Sequence, residues 1–295
     1  MLVATQTLNY KDTAKAYWEL MKFRLSFFVV FSGAFGYILA KPVFQFDPVL
    51  LWFALGSFLI TGSANTINQL LEVDYDRLMK RTLSRPLPSG RLTSVQAGIF
   101  ALFTFLLGSF ILMFKVNMLS CMLSAASLFL YAFVYTPLKR VGPIAVFVGA
   151  IPGALPPLIG WVAATESINI HAITLFSIQF IWQFPHFWAI AWVLDEDYKR
   201  AGFRLLPSGG GKDMNTAFQI MIYVLFLIPL GLLPVKFGLT GINSGIVATF
   251  AGVVFLIQTF SLMKDCTNDK AAKKIMFGSF IYLLVIQVVY MVDKI

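Results

Sequence analysis

The composition of this chain excludes a water-soluble globule. Of its 295 residues, 58% are hydrophobic and only 13% are charged, and the formal net charge is +9, whereas soluble domains carry roughly 25% charged residues. The charges lie in short stretches between long apolar runs, which is typical of a chain that crosses a bilayer repeatedly. Because the basic residues flank apolar runs and form no separate basic domain, we expect the partner to be the lipid bilayer and not nucleic acid.

The N-terminal segment, residues 1–20, is polar and mixed. It lacks the short apolar core of a secretory signal and the Arg- and Ser-rich bias of an organellar transit peptide. We therefore expect a cytoplasmic N-terminal segment and a place in a bacterial cytoplasmic (inner) membrane. Cys121 and Cys266 are far apart in the sequence, so they predict neither a disulfide framework nor a metal knuckle.

Apolar windows long enough to cross about 30 Å of hydrocarbon predict nine transmembrane helices. They lie at 25–40, 49–71, 95–114, 117–136, 143–164, 172–194, 217–235, 244–263 and 275–292. We expect the first helix to start earlier, with Lys22 and Arg24 reaching out to the membrane surface. With the N-terminus inside, 19 of the 23 Lys and Arg residues face the cytoplasm, so the positive-inside rule predicts an N-in, C-out topology.

The end of the second predicted span carries a stripe of oxygen-bearing side chains. Asn68, Glu72 and Asp76 are spaced four residues apart, so they share one helical face at roughly 6 Å per step. Such oxygens suit Mg²⁺, which prefers a few carboxylates together with water and substrate phosphates. The stripe therefore predicts a hard-cation site at a membrane boundary.

Three cations follow this stripe in the sequence and suit phosphate oxygens: Lys80, Arg81 and Arg85. The alternative interpretation is a solvated helix end whose acids offset neighbouring bases. Asn68 lies within the apolar run, where polar groups are costly and usually functional, which favours the metal interpretation. At a solvated helix end we expect the charges of Glu72 and Asp76 to matter more to metal binding than to folding.

A second acidic cluster, with Asp195 and Asp197, closes the sixth predicted span. Two such clusters on one membrane face could hold two metal ions that bridge one diphosphate. Acids at a helix C-terminus oppose the macrodipole, so a cation is expected nearby. Lys199 and Arg200 could supply it without any metal, so both interpretations remain open.

The fifth and sixth predicted spans contain the remaining candidates. His186 follows Pro185 and has aromatic neighbours, Trp182 among them. It is either a side chain that satisfies carbonyls freed by the proline, or an axial ligand or proton-handling group in an aromatic pocket. The fifth span is rich in Gly, Ala and Pro between 149 and 161, which favours close helix packing and a broken helix that lines a cavity.

Several of these strings resemble the protohaem IX farnesyltransferases (haem O synthases), a branch of the UbiA superfamily of intramembrane prenyltransferases. The more specific strings are Arg-Thr-x-x-Arg-Pro-Leu-Pro-Ser-Gly and Pro-His-Phe-Trp, whereas the acidic stripe alone resembles the superfamily in general. The matching strings begin at Asn68, Met79, Pro152, Trp182 and Asp197. Two departures, Phe23 for the usual proline and Leu205 for the usual methionine, affect only the start of the first span and local packing.

The resemblance implies an all-α bundle of nine transmembrane helices around a central cavity. It implies one prenyltransferase domain, residues 1–295, with cytoplasmic active-site loops at 72–94 and 195–216. It also implies the substrates farnesyl diphosphate and haem B, the product haem O, the cofactor Mg²⁺ and a downstream haem A synthase that takes the product.

The resemblance also assigns roles to individual residues. The catalytic and metal-binding set that it implies is Asn68, Glu72, Asp76 and Asp197, with Asp195 as a further metal ligand. The substrate-binding set that it implies is Lys80, Arg81, Arg85, Lys139, Arg140 and Lys199 for the diphosphate, and His186 and Trp182 for haem.

Two other functions compete with haem farnesylation. A related prenyltransferase could act on an aromatic quinone precursor, but a small phenolic acceptor gives no reason for the Pro-His-Phe-Trp string. A transporter would place ionisable groups along the midplane of several helices, whereas the acids here lie together at one membrane face.

Overall fold

The computed structural model describes residues 9–43, 45–209 and 211–295, and this part of the chain is almost entirely helical. One segment, Leu130–Tyr135, is π-helical. The helices in chain order are α1 (Tyr10–Leu20), α2 (Phe23–Ala40), α3 (Pro48–Leu71), α4 (Val73–Asp76), α5 (Ser94–Lys115), α6 (Met118–Phe129), α7 (Thr136–Leu138), α8 (Ile144–Thr165), α9 (Ile170–Val193), α10 (Asp195–Arg200), α11 (Met214–Leu230), α12 (Leu233–Lys236), α13 (Ile242–Lys264) and α14 (Asp269–Val292). The predicted all-α fold is confirmed.

Eight helical segments among the described residues are long and apolar enough to cross a membrane, which makes the chain a polytopic membrane protein. They are α2, α3, α5, the segment from α6 to α7, α8, the segment from α11 to α12, α13 and α14. The remaining long helix, α9, has 24 residues and no charged side chain. Gln179, Gln183, Pro185 and His186 make it less apolar than the others. The ninth span and the N-in orientation stay predictions.

Helix α8 packs against α2, α9 and α6 near the middle of the bundle, and small residues permit its closest contacts. A Cβ atom added at Gly160 would lie 1.8 Å from the Gly33 carbonyl oxygen, and one added at Gly36 would lie 2.0 Å from the Pro157 carbonyl oxygen. Only glycine therefore allows α2 and α8 to approach to this distance, as the sequence predicts.

The predicted break in α8 is wrong, because the helix runs continuously from Ile144 to Thr165. Pro156 and Pro157 lack the N–H groups that would bond the carbonyls of Pro152 and Gly153 in a regular helix. Neighbouring helices supply the missing donors: Ser127 Oγ donates to the Pro152 carbonyl at 3.2 Å, and Gln179 Nε2 donates to the Gly153 carbonyl at 3.3 Å. Side chains from other helices thus satisfy the freed carbonyls inside the membrane.

The predicted central cavity is present and has a volume of about 500 Å³. Its walls come from α2, α3, α6, α8, α9 and α14 and from the π-helical segment. Most of the lining is apolar, and Tyr131 and Tyr135 contribute from the π-helical segment. A π-helical turn within a span often marks a functional site.

Helix α1 was not predicted from the sequence. Its buried residues Ala16 and Leu20 pack with Leu87 and Leu92 of the loop between α4 and α5, and Glu19 forms an ion pair with Arg91 at 2.5 Å. Helix α1 therefore anchors the loop that follows the acidic stripe, whereas residues 1–8 of the predicted cytoplasmic N-terminal segment lie outside the described residues.

Candidate active site

The structure places Asn68, Glu72 and Asp76 on one helical ridge, as their spacing predicts. The Glu72 N–H donates to the Asn68 carbonyl and the Asp76 N–H donates to the Glu72 carbonyl, so the helical path continues from α3 into α4. The expectation of a solvated helix end is wrong, because only 1%, 3% and 0% of these three residues is exposed. These charges therefore contribute to folding as well as to any ligand site.

Each carboxylate of the stripe is paired with a cation from outside the stripe. The Arg85 guanidinium donates to both Asp76 carboxylate oxygens, at 2.9 and 2.7 Å. Lys139 Nζ lies 2.9 Å from Glu72 Oε1 and donates to Glu72 Oε2 at 3.2 Å. Burial lowers the pKa of Lys139, but the Glu72 carboxylate outweighs this, and the pKa is raised above its ordinary value. Buried carboxylates in this protein are thus paired, as desolvation requires.

Lys22 does not reach out to the membrane surface, which corrects the sequence-based expectation. Its backbone is left-handed, with φ of 47°, at the N-cap of α2, and its Nζ donates to Asn68 Oδ1 at 3.0 Å. Burial, together with the positive charges of Arg85 and Lys139, lowers the pKa of Lys22 to about 7. Lys22 is therefore a member of the site that the sequence pattern missed.

Thr136 sets the orientation of the Asn68 amide. Its hydroxyl donates to the Tyr131 carbonyl at 2.9 Å, so its oxygen accepts from Asn68 Nδ2, at 3.1 Å. With the amide nitrogen engaged there, Asn68 Oδ1 faces Lys22 and is the atom available to a cation. Thr136 lies 68 residues from Asn68, and no sequence signal connects the two positions.

The donor set of the stripe fits a magnesium ion that substrate oxygens complete. No group of three or more His, Cys, Asp or Glu side chains in the described ranges is arranged to hold a metal alone. The stripe offers one amide oxygen and two carboxylates, and the buried Glu72 Oε1 accepts no directed hydrogen bond. Mg²⁺ typically binds one or two protein carboxylates and takes its other ligands from water and phosphates, which is what this set provides.

Two further predicted cations lie where loops 72–94 and 195–216 meet. The Arg81 guanidinium lies 4.9 Å from the centre of the Tyr198 ring, and the Arg140 guanidinium lies 4.4 Å from that of Tyr75. Tyr75 stacks on Phe203 with ring centres 5.2 Å apart, so loops 72–94 and 195–216 contact each other through aromatic side chains. Lys80 is exposed beside this contact.

The second acidic cluster lies at a helix N-terminus and not at the C-terminus predicted for it. Helix α9 ends at Val193, and the acids form the first turn of α10, where the macrodipole favours negative charge. Asp195 pairs with Lys199 at 2.8 Å and Asp197 pairs with Arg200 at 3.3 Å. Within the described residues, no ion pair or hydrogen bond joins this cluster to the stripe, so its part in metal binding stays a prediction.

His186 and Trp182 line the central cavity. The His186 ring stacks on Trp182 at 4.6 Å and meets the edge of Phe280 at 4.5 Å. Its Nδ1 lies 2.8 Å from Ser279 Oγ on α14. The ring therefore bonds to a side chain 93 residues away, and not to a carbonyl near Pro185 as one interpretation of the sequence had it. Ser279 and Phe280 were not predicted.

The polar stripe and the cavity adjoin each other. Asn65, one helical turn before Asn68, lines the cavity, and so does Tyr135. Tyr135 also contacts Lys139, whose Nζ lies 4.8 Å from the ring centre. A cluster of cations and acids thus sits at one end of an apolar cavity, an arrangement suited to a substrate with an anionic head and a long apolar tail.

The chain matches the model of the UbiA prenyltransferase family over residues 29–281. It is 51% identical over 282 residues to a protein named protoheme IX farnesyltransferase from Cytophaga hutchinsonii, covering 95% of this chain and 98% of that protein. A protein of the same name from Flavobacterium psychrophilum is 46% identical, covering 94% of this chain and 93% of that protein.

Solved structures of low sequence identity share the fold. A structure of digeranylgeranylglyceryl phosphate synthase has a TM-score of 0.79 at 22% identity, covering 95% of this chain and 98% of that chain. A UbiA homolog from Archaeoglobus fulgidus, bound to GPP and Mg²⁺, has a TM-score of 0.64 at 15% identity and covers 93% of this chain and 99% of that chain. Fold, family match and close relatives agree: the chain belongs to the UbiA prenyltransferase family, within its protohaem IX farnesyltransferase branch.

Proposed function

We propose that this enzyme transfers the farnesyl group of farnesyl diphosphate to a vinyl group of haem B, with addition of water, to give haem O. The observation that carries the proposal is 51% identity, over almost the full length of both chains, to a protein named protoheme IX farnesyltransferase. The geometry supports it, because a cluster of cations and acids adjoins an apolar cavity that contains a histidine and a tryptophan.

The donor diphosphate binds at the acidic stripe. Asn68, Glu72 and Asp76 would hold Mg²⁺, which when bound neutralises the diphosphate and lowers the cost of its departure. An Archaeoglobus fulgidus homolog of the same fold binds GPP and Mg²⁺, in line with this assignment. Binding of the ion and the diphosphate releases the three cations that now pair with the stripe, and these then contact phosphate oxygens. They are Lys22, Arg85 and Lys139.

The outer residues extend this anion site towards the loops. Arg81 and Arg140 lie over tyrosine rings. One Arg140 nitrogen, Nη2, donates to the Leu71 carbonyl at 3.0 Å, and the remaining guanidinium donors would contact phosphate, with exposed Lys80 adding charge. Asp195 and Asp197 would bind a second ion, and Lys199 would move from Asp195 to the diphosphate. The second metal site is supported by the position of Asp195 and Asp197 on loop 195–216. This loop contacts loop 72–94 through Tyr198 and Arg81.

The reaction begins with heterolysis of the allylic C–O bond, and the electron pair leaves with the diphosphate. Fixed cations stabilise the departing charge. The π electrons of a haem vinyl group then form a C–C bond to the farnesyl C1 cation. Water adds to the carbocation left on the haem substituent and loses a proton, which gives a hydroxyethylfarnesyl group. Tyr131 and Tyr135, at the cavity end beside Lys139, shield the allylic cation from premature capture.

The acceptor haem lies in the apolar cavity. His186 is the axial ligand in this proposal, since neutral imidazole is a common ligand of haem iron, and Trp182 holds its ring by stacking. The separation of this pair from the acidic stripe lets the donor and acceptor sites be tested independently.

The enzyme is a polytopic membrane protein, and we propose that it lies in a bacterial inner membrane as one domain, residues 1–295, with its N-terminus in the cytoplasm. The distribution of basic residues supports this orientation. Fusion of alkaline phosphatase or green fluorescent protein after Ile295 tests it. An active phosphatase with a dark fluorescent protein is expected, and the opposite pair contradicts the orientation.

A competition between acceptors tests the proposed substrate. Membranes containing the protein are incubated with farnesyl diphosphate and Mg²⁺, and with equal amounts of haem B and a phenolic quinone precursor. We expect only haem to be prenylated, and EDTA to stop the reaction. Prenylation of the phenol alone would overturn the haem assignment, whereas full activity in EDTA would overturn the metal assignment.

A further inference from the structure

We propose that Ser279 is a positioning residue that holds His186 in one tautomer and thereby presents its Nε2 lone pair to the acceptor. The proposal rests on the proposed function, because it takes haem iron as the group that meets His186. It adds a residue on α14 to a site that the sequence assigned to α9 alone.

The tautomer follows from the count of protons at Ser279. Its hydroxyl has a single proton, and Ser279 Oγ donates that proton to the Met276 carbonyl at 2.6 Å. The contact of 2.8 Å between Ser279 Oγ and His186 Nδ1 must then use a proton on the imidazole. Nδ1 therefore carries the hydrogen, and Nε2 of the neutral ring keeps its lone pair.

The orientation of the His186 ring is fixed as well as its tautomer. Trp182 is nearly parallel to it, with an interplanar angle of 16°, and Phe280 is nearly perpendicular, at 80°. Trp182 is itself held by its Nε1, which donates to the Ser279 backbone carbonyl at 2.8 Å. Ser279 thus holds the tryptophan through its backbone and the histidine through its side chain. A change of the side chain removes only the second contact.

This arrangement has the chemistry of a metal-ligand histidine. A ligating imidazole almost always donates its other N–H to a carboxylate, a carbonyl or a similar acceptor, which fixes the tautomer and raises the basicity of the ligating nitrogen. Ser279 is fully buried, and His186 is 6% exposed and lines the cavity. Ser279, which accepts the imidazole N–H, therefore lies behind the ring on the protein side. Nε2 lies at the opposite edge of the imidazole, which we assign to the cavity side that haem can reach.

The first test needs no substitution in the pair. The chain has two histidines, His171 and His186, so ¹⁵N NMR of histidine-labelled, haem-free protein in nanodiscs gives two sets of ring signals, and His171→Asn assigns them. We expect His186 to be the Nδ1–H tautomer. Observation of the Nε2–H tautomer would overturn the proposal.

The second test compares ferrous haem binding in variants. Ser279→Ala is expected to weaken haem binding by about 10- to 100-fold, the usual effect of losing such a partner, and to lower the iron–imidazole stretching frequency in resonance Raman spectra. Binding of a non-hydrolysable farnesyl diphosphate analogue with Mg²⁺ should not change. Ser279→Thr keeps the hydroxyl and should restore both haem readouts.

A matched control separates positioning from folding. Thr259 on α13 is buried and its hydroxyl also donates to the carbonyl three residues earlier, at 2.7 Å. Thr259→Val should leave haem binding and the iron–imidazole band unchanged. Equal haem binding and an unchanged band in Ser279→Ala would refute the positioning role. If His186→Ala keeps the band seen in wild type, the axial assignment fails, and this inference fails with it. If wild type binds haem through His186 but does not farnesylate it, the proposed function fails alone.

Discussion

Variants of the ion pair between Asp76 and Arg85 distinguish the contribution of Asp76 to folding from its contribution to catalysis. Asp76 is completely buried, whereas the Arg85 side chain is 25% exposed. Arg85→Gln leaves a buried carboxylate without its cation, which should cost about 3–5 kcal/mol of unfolding free energy. Asp76→Asn leaves a cation that water can reach, removes one acceptor oxygen and leaves the other uncharged, so its cost should be smaller, about 1.5–3 kcal/mol.

The double variant distinguishes the two roles. Replacing both partners with neutral side chains removes the unpaired charge, and its stability should return to within about 1 kcal/mol of wild type. Transfer should not return, because Asp76→Asn removes a metal ligand, and loss of one electrostatic contact to a transition state costs roughly 100- to 1,000-fold in rate. Arg85→Gln alone should raise the apparent KM for the prenyl donor more than that for haem.

The measurements are thermal unfolding in detergent micelles and haem farnesylation by mass spectrometry, both on wild type, the two single variants, the double variant and one reference variant. The reference variant carries Asp74→Asn and Arg77→Gln, because these two side chains form an exposed ion pair on the same loop, with the charged groups 2.9 Å apart. If the double variant recovered farnesyl transfer together with stability, Asp76 would be a structural residue and the metal assignment of the stripe would be refuted.

The remaining predictions concern single positions. His186→Ala should lose most haem affinity and transfer yet bind farnesyl diphosphate with Mg²⁺ normally, and unchanged haem affinity by absorbance titration would make it a packing residue. Thr136→Val removes the acceptor of the Asn68 amide, so the Mg²⁺ concentration for half-maximal rate should rise severalfold, and an unchanged value would show that the amide needs no such partner. Gly160→Ala places a methyl group against the Gly33 carbonyl, and overpacking of this kind costs about 1–3 kcal/mol. Retention of the wild-type melting temperature would contradict the close contact of α2 and α8.

Much of the fold follows from hydropathy and charge. The long helices occur close to their predicted positions because each needs enough apolar residues to cross the hydrocarbon, and turns and charges mark their ends. The last helix starts at Asp269, six residues before the predicted 275, because its first turns are charged and a hydropathy window does not include them. Helix α1 was missed since only Ala16 and Leu20 of it are buried, too few to form a clear pattern.

Site residues that lie on one helix could be predicted from the sequence, whereas contacts between side chains of different helices could not. Spacing alone placed Asn68, Glu72 and Asp76 on one face. Lys22 was misassigned because a lysine at a span end usually extends to the surface, and its left-handed backbone cannot be read from the sequence. Ser279 reaches His186 only through the packing of α14 on α9, which no local pattern encodes.

The acids of the second cluster show a different limit of prediction from hydropathy. Asp195 and its neighbours were predicted at a helix C-terminus because the apolar run of α9 ends there. The chain instead starts a new helix, α10, at Asp195, where the same acids are favourable. Hydropathy locates the end of a span but does not reveal whether the next residues begin another helix.

One measurement tests haem farnesylation most directly: mass spectrometry of haem after incubation of the purified enzyme with haem B, farnesyl diphosphate and Mg²⁺ in H₂¹⁸O. We expect a haem that has gained one farnesyl group and one hydroxyl group labelled with ¹⁸O, and no such product with Asp76→Asn. Haem recovered unchanged, or farnesylated haem without the labelled hydroxyl, would contradict this expectation.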